Sequence, residues 1–300
     1  MNRMKQSRWF ACLISAFVAV FGVSTASAET DAIADLACPY VPALGEAQKT
    51  PITPRGLIDC LDDPDPAVRD EFAYSRFAQL LRSGENSDDE LRILLERLTA
   101  LVEHADADPN GFRGPFAMLA LSEIARTDRI EAWMTPEERK HLINTAAWYL
   151  ASLTDYRGFV DGEGWRHGVA HTADVLMQLS LSDRVDEIEA EMIVQIIGPS
   201  VAPPNAPAYT FGEPGRLARP ILFLARAGLM DGDRGMNVFN GLKPNDHPRW
   251  QNPYMNEAGL RALHNTRAFA YAVYTNASAS ETETDDILAD LALDLLASLP

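Results

Sequence analysis

Two histidines four residues apart, with an aspartate three further on, are the part of this sequence best equipped for chemistry. They lie in Arg166-His167-Gly168-Val169-Ala170-His171-Thr172-Ala173-Asp174-Val175-Leu176, a stretch that can form a helix. At about 100° per residue, His167, His171 and Asp174 fall on one helical face. Two imidazoles at that spacing can meet one metal ion, with an Asp174 oxygen as a third ligand. Zinc suits such a borderline-soft set, and manganese or iron suits it if oxygens dominate.

Immediately upstream, Asp155-Tyr156-Arg157-Gly158-Phe159-Val160-Asp161-Gly162-Glu163-Gly164-Trp165 is punctuated by glycine and cannot be an amphipathic helix. As a loop it offers three roles. Asp161 or Glu163 can fold over the histidines and complete a metal site. Asp155, Arg157, Asp161, Glu163 and Trp165 can instead hold a small polar ligand without a metal. Or Arg157 and Arg166 pair with Asp155, Asp161, Glu163 and Asp174 as a buried ionic network that locks a corner between helices. The residues alone leave all three open.

The elements that must position this cluster are helices. Asp65-Pro66 is a cap with a first-turn proline, and Val68, Phe72, Phe77 and Leu80 follow at helical spacing. Ser87 with Glu90, and Thr135-Pro136 with Glu138, are capping boxes ahead of apolar faces. Further helices are expected near 112–126, 166–180, 184–197, 216–229, 254–274 and 284–298. Gly198-Pro199 is expected to end one of them, and the proline-rich stretch 199–214 to form a hinge or long ordered loop. Alternating strand patterns are almost absent. Asp62-Asp63-Pro64-Asp65-Pro66 with Val68-Arg69 resembles the inter-helix turn of HEAT repeats. The expected architecture is therefore all-α: stacked antiparallel helical hairpins in a HEAT-like α-solenoid array, as a single domain over 56–300.

Composition narrows the partners. Asp and Glu number 43 against 26 Lys and Arg, a net charge of -17, which disfavours nucleic acid and anionic membranes. There is no P-loop, Rossmann glycine fingerprint or Gly-x-Ser-x-Gly elbow. Arg3, Lys5 and Arg8 precede an apolar run from Trp9 to Val23, and Ala26-Ser27-Ala28 supplies a signal-peptidase pattern. We read 1–28 as a signal peptide cleaved after Ala28, 29–55 as a proline-rich arm, and the protein as secreted or periplasmic. The apolar run is too short to span a bilayer, so no stable membrane insertion is expected after cleavage. Export leaves Cys38 and Cys60 as a pair, and an oxidising compartment favours a disulfide between them.

The strings Asp155 to Val160 and Gly164-Trp165-Arg166-His167-Gly168-Val169-Ala170-His171-Thr172-Ala173-Asp174 resemble the signature of the DUF 2785 family, bacterial helical proteins of unknown function. Flanking matches at Phe112-Arg113, Gly212-Glu213-x-x-Arg216-Leu217-Ala218 and Asn265-Thr266-x-x-Phe269 extend the resemblance over residues 56–276. They add Arg113, Glu213 and Arg216 to the candidate ligand-binding residues. The resemblance implies a helical fold and a shared polar centre, and no activity. A nine-residue likeness of His167–Val175 to cyclic-nucleotide phosphodiesterases would make His167 a general acid and His171 a metal ligand. The downstream His-Asp pair those enzymes need is missing, because Pro248 follows His247 and Asn265 follows His264.

Three functions fit these residues: a binding protein for a small polar ligand or metal ion, a metal-dependent hydrolase using His167, His171 and Asp174, or a scaffold for a protein partner. Outside the cluster, His247 reads as a solvated turn residue and His264 as a satisfied core histidine. Asp285, Asp286, Asp290 and Asp294 read as a solvated helix face.

Overall fold

Local signals place most helix starts where the caps predict. Ser87 and Thr135 accept the backbone N–H groups of Glu90 and Glu138, and Thr135 closes a full capping box. Asp186 and Glu189 form another box. The computed structural model describes Cys38 and residues 52–230, 232–246, 248–280 and 282–300. The expected signal peptide, most of the arm and His247 lie outside the described residues.

The described chain is mainly helical. Its helices are α1 Pro54–Ile58, α2 Ser75–Arg82, α3 Asp88–Glu103, α4 Arg113–Ile130, α5 Pro136–Ser152, α6 Gly168–Ser180, α7 Glu187–Val201, α8 Glu213–Arg226, α9 Gly232–Leu242, α10 Pro248–Gln251, α11 Glu257–Ala277 and α12 Glu283–Ser298. Asp65 accepts the Ala67 N–H at 2.9 Å, as expected of a cap. The helix it opens is π-wound over Ala67–Tyr74 before tightening into α2. Two short strands, β1 Phe159–Val160 and β2 Gly164–Trp165, pair antiparallel inside the glycine-punctuated run.

α2, α4, α6, α8 and α11 pack successively on one another, and so do α3, α5, α7, α9 and α12. α6 is the most enclosed element: nearly every residue from Gly168 to Ser180 is buried. It lies closest to α4, and small residues permit the approach. A Cβ on Gly114 would stand 2.7 Å from the Tyr149 ring, and one on Gly168 would stand 2.8 Å from the Tyr149 hydroxyl. The tyrosine thus occupies the space two missing side chains leave at the start of both helices.

Two expectations need correction. α7 does not stop at Gly198-Pro199 but runs through them to Val201. Pro199 forfeits its own N–H bond and crowds the carbonyl four residues back, but less than a turn from the helix end that cost is offset by the burial of Ile197 and Val201. Asp285 is not on a solvated face: it is 1% exposed and accepts from Arg226 at 3.0 Å. Of the hinge or long ordered loop expected over 199–214, the ordered loop forms, over 203–212, and it is tied down. Asn265 accepts the Tyr209 N–H and donates to the Pro207 carbonyl, while His264 meets the Tyr209 carbonyl at 3.1 Å.

Cys38 and Cys60 are joined by a disulfide. The bridge closes a loop with a sequence separation of 22 residues onto buried Cys60. Cys60→Ser is expected to lower unfolding free energy by about 3 kcal/mol. Urea titration checks the loss, and a non-reducing mass showing two free thiols in the wild type would refute the premise.

Candidate functional site

The loop that carries the candidate residues is shaped by its own glycines. Glu163 N–H bonds the Val160 carbonyl at 3.0 Å, and Gly162 at the turn takes φ 82°, as a type II turn requires. Pairing continues past the strands, because Arg166 N–H reaches Gly158 O and His167 N–H reaches Arg157 O. The ribbon delivers His167 to the N-cap of α6 with φ 61° and ψ 37°. It is the one non-glycine residue with positive φ among the described residues. The conformation costs about 1–3 kcal/mol, and the side chain caps nothing, although Ser, Thr, Asp or Asn is preferred there.

His167 stacks on Trp165 at 4.9 Å between ring centroids and meets His171 edge-on at 5.7 Å. Its Nε2 is buried without a hydrogen-bond partner and lies 4.0 Å from Glu213 Oε1. Burial, reinforced by the Arg216 charge and opposed by a backbone hydrogen bond at Phe211, brings its pKa down to about 4. His171 Nδ1 lies 3.0 Å from the Pro115 carbonyl, and its ring packs edge-on against Phe116. Burial first, and then the neighbouring His167, bring its pKa down to about 3. Both imidazoles are neutral at neutral pH.

Asp174 lies on α6 with His171, but it faces cations. Arg216 Nη1 donates to its Oδ2, and Arg219 Nη1 lies 3.7 Å from Oδ1. Burial raises its pKa despite both arginines. Glu213, buried at the start of α8, accepts the Phe211 N–H at 2.9 Å.

The loop carboxylates point elsewhere. Asp155 pairs with Arg157, and Arg166 donates to Glu163 at 2.7 Å and to the Asn110 carbonyl at 2.7 Å. Asp161 is exposed at the turn. Arg113 is not at the cluster's centre, since it donates to Asp62 through Nε and Nη2.

The expected zinc or manganese set therefore does not assemble. Among the described residues no group of three His, Cys, Asp or Glu side chains could hold a metal ion. His171 has its Nδ1 at the Pro115 carbonyl and only Nε2 left for a ligand, Asp174 is neutralised by guanidinium, and neither Asp161 nor Glu163 turns inward to join it. These donors do not fit a metal.

A cleft of about 640 Å³ opens beside the cluster. Tyr156, Arg157, Phe159, Phe211, Glu213 and Arg261 are among the residues lining it. Phe159, Trp165 and Phe211 are each about 40% exposed, and both phenylalanines meet the indole edge-on.

Sequence reasoning missed Phe211 and the trio Tyr74, Arg82 and Glu123. Glu123 is buried inside α4 and accepts from Arg82 at 2.9 Å and from the Tyr74 hydroxyl at 3.5 Å. Burial, then the Glu123 charge, pushes Tyr74 up to about 12. An acid alone amid Ala120, Leu121, Ile124 and Ala125 was the available signal.

Residues 79–275 match the family described as protein of unknown function, DUF2785. The chain belongs to the DUF2785 family. No curated protein and no solved structure matches it. The DUF2785 match runs from within α2 to within α11 and so takes in the ribbon, both histidines, Asp174, Glu213 and Arg216.

Proposed function

We propose that this DUF2785 protein is an exported binding protein that holds a small, neutral, polyhydroxylated ring, a sugar or sugar-like polyol, against Trp165, Phe211 and Glu213. One observation carries the proposal: His167, held in a strained left-handed conformation, keeps a buried and unpartnered Nε2 4.0 Å from Glu213 Oε1. That separation is too long for a direct hydrogen bond. It suits a hydroxyl about 2.8 Å from each atom, accepting from one and donating to the other. Buried polar groups without partners are rare, and a ligand is one explanation for them.

The surroundings support this chemistry. Aromatic faces at the cleft offer flat apolar contact for a ring's C–H groups, while the Glu213 carboxylate and the Arg157 and Arg261 guanidiniums can orient hydroxyls. The architecture we infer is the stacked helical-hairpin array, with α2, α4, α6, α8 and α11 as one layer and α3, α5, α7, α9 and α12 as the other. The disulfide supports export, because such bonds persist in oxidising compartments. Periplasmic fractionation, with a mature mass beginning at Glu29, tests that part.

The binding test is a hexose and polyol panel read by saturation-transfer NMR and indole fluorescence. Trp165→Ala and Glu213→Gln are each expected to weaken the best binder at least about tenfold while the melting temperature holds. No saturable signal from any member of the panel would refute the reading.

A further inference from the structure

Tyr149 fills the space left by Gly114 and Gly168, and it carries a hydroxyl there that bonds nothing. The residue is 4% exposed, and among the described residues no group donates to its Oη or accepts from it. Buried hydroxyls are normally paired, as Tyr74 is with Glu123 and Tyr209 with the Ser200 carbonyl. A Cβ on Gly114 would stand 2.9 Å from the Tyr149 Oη and 2.8 Å from the Ala105 Cβ, so the hydroxyl lies beside the turn that follows α3. Gly114, Ala105 and Tyr149 all line a cavity of about 460 Å³. That volume is within the range of small-molecule sites, about 300–1,000 Å³.

The walls of this cavity favour positive charge. Its described lining residues include four carboxylates, Glu103, Asp106, Asp108 and Asp155, against one cation, Arg157. Arg157 pairs with Asp155, and Arg166 stands 4.0 Å from the same carboxylate, so that corner is neutralised. Asp108 accepts the Phe112 and Arg113 N–H groups at 2.6 and 2.9 Å and so satisfies the start of α4. Glu103 and Asp106 are exposed and make no ion pair among the described residues. Two helices also end at the cavity, α3 at Glu103 and α5 at Ser152, and the partial negative charge of a last turn favours cations. Apolar wall comes from Pro109, Pro115 and Trp148, which is 47% exposed.

We propose that this cavity is a second binding site, for an organic primary ammonium ion with a flat apolar body. The ammonium sits at the acidic wall of residues 103–106 and donates to the Tyr149 Oη, while the apolar body lies against Trp148. Charge-assisted hydrogen bonds and the attraction of a cation to an aromatic ring act on the same ligand. A neutral molecule of the same shape forgoes both, and an anion meets the carboxylates and the two helix ends with the wrong sign.

The test uses the full chain and phenethylamine, with 2-phenylethanol, phenylacetate and magnesium ion as controls, followed by calorimetry and indole fluorescence. Saturable phenethylamine binding is expected, with 2-phenylethanol and phenylacetate at least about tenfold weaker. Tyr149→Phe should weaken phenethylamine several-fold yet leave the melting temperature of the free protein unchanged, because the hydroxyl makes no bond in the free fold. Trp148→Ala should weaken it by about fivefold. Trp148 is half exposed, so this variant carries the test alone if Tyr149→Phe does not fold. No saturable phenethylamine binding, or 2-phenylethanol or phenylacetate binding as tightly, would overturn the proposal. So would unchanged affinity in folded Trp148→Ala, or displacement by magnesium at equal concentration, which would mark a general attraction of cations to acidic surface. Displacement by the hexose and polyol panel would put the signal in the Trp165 cleft and overturn this site while leaving the sugar reading in place.

Discussion

Arg69→Ala is expected to lower the free energy of unfolding by about 3–5 kcal/mol, the largest loss from any single truncation considered. The side chain is fully buried. Nη1 donates to the carbonyls of Asp63 and Pro64 at 2.9 and 3.2 Å, and Nη2 donates to the carbonyl of Glu163 at 2.8 Å. Nε and Nη2 grip Asp70 at 3.1 and 3.2 Å. The guanidinium also stands 3.8 Å over the Phe112 ring and 4.9 Å over that of Phe116. Truncation leaves three carbonyls and a carboxylate without their donor and opens a void. Lysine should not rescue, because a point charge with three donors cannot replace a planar fork. The exposed Arg76→Ala should change stability by less than about 0.5 kcal/mol. Urea titration of the three variants reads the difference, and a loss below about 1 kcal/mol in Arg69→Ala would refute the assignment.

Acid is expected to have a comparable effect through the two histidines. Their pKa values in the fold, about 4 for His167 and about 3 for His171, lie below the ordinary 6.5. Stability rises with pH wherever the unfolded chain binds more protons than the folded one. Between pH 6.5 and 4 the unfolded chain takes protons that the buried imidazoles refuse. Their stabilisation is therefore intact above pH 6.5 and drains away as the pH falls. At about 1.4 kcal/mol per pH unit, each histidine costs about 3 kcal/mol by pH 4. Asp174 acts with the opposite sign, because its raised pKa favours the protonated fold as the pH falls towards 3.8. His171→Gln should roughly halve the slope between pH 6.5 and 4 in chemical denaturation. A variant slope equal to that of the wild type would mean that other groups carry the acid sensitivity.

What could be read beforehand was local. The caps at Ser87 and Thr135 depend on residues within a few turns, and the structure reproduces them; of the expected common face, only His171 and Asp174 lie within α6, because His167 is its left-handed N-cap. The partners of that face depend on distance along the chain. Pro115 comes to His171 from 56 residues away and Arg216 to Asp174 from 42, so no spacing rule could foresee that a carbonyl holds one imidazole nitrogen and a guanidinium holds the carboxylate expected to bind a metal. α9 was missed because Gly235, Asn237, Asn240 and Gly241 are poor helix formers. It is held by burying Val238, Phe239 and Leu242, with α7 and α12 as neighbours. Strands of two residues are too short to show alternation.

The arginine attachments of the 155–166 segment fix its length as well as its shape. The Asn110 carbonyl accepts from both Arg157 and Arg166, and the Glu163 carbonyl accepts from Arg69. One inserted or deleted residue would break register with both turns at once. A segment that looks like a spacer by composition is thus among the least able to change length. Many binding folds diversify by growing or shrinking loops. Under the sugar-binding reading proposed above, a ribbon of constant span leaves new selectivity to side-chain exchange at Phe159 and Trp165 on the ribbon and at Phe211 on the 203–212 loop.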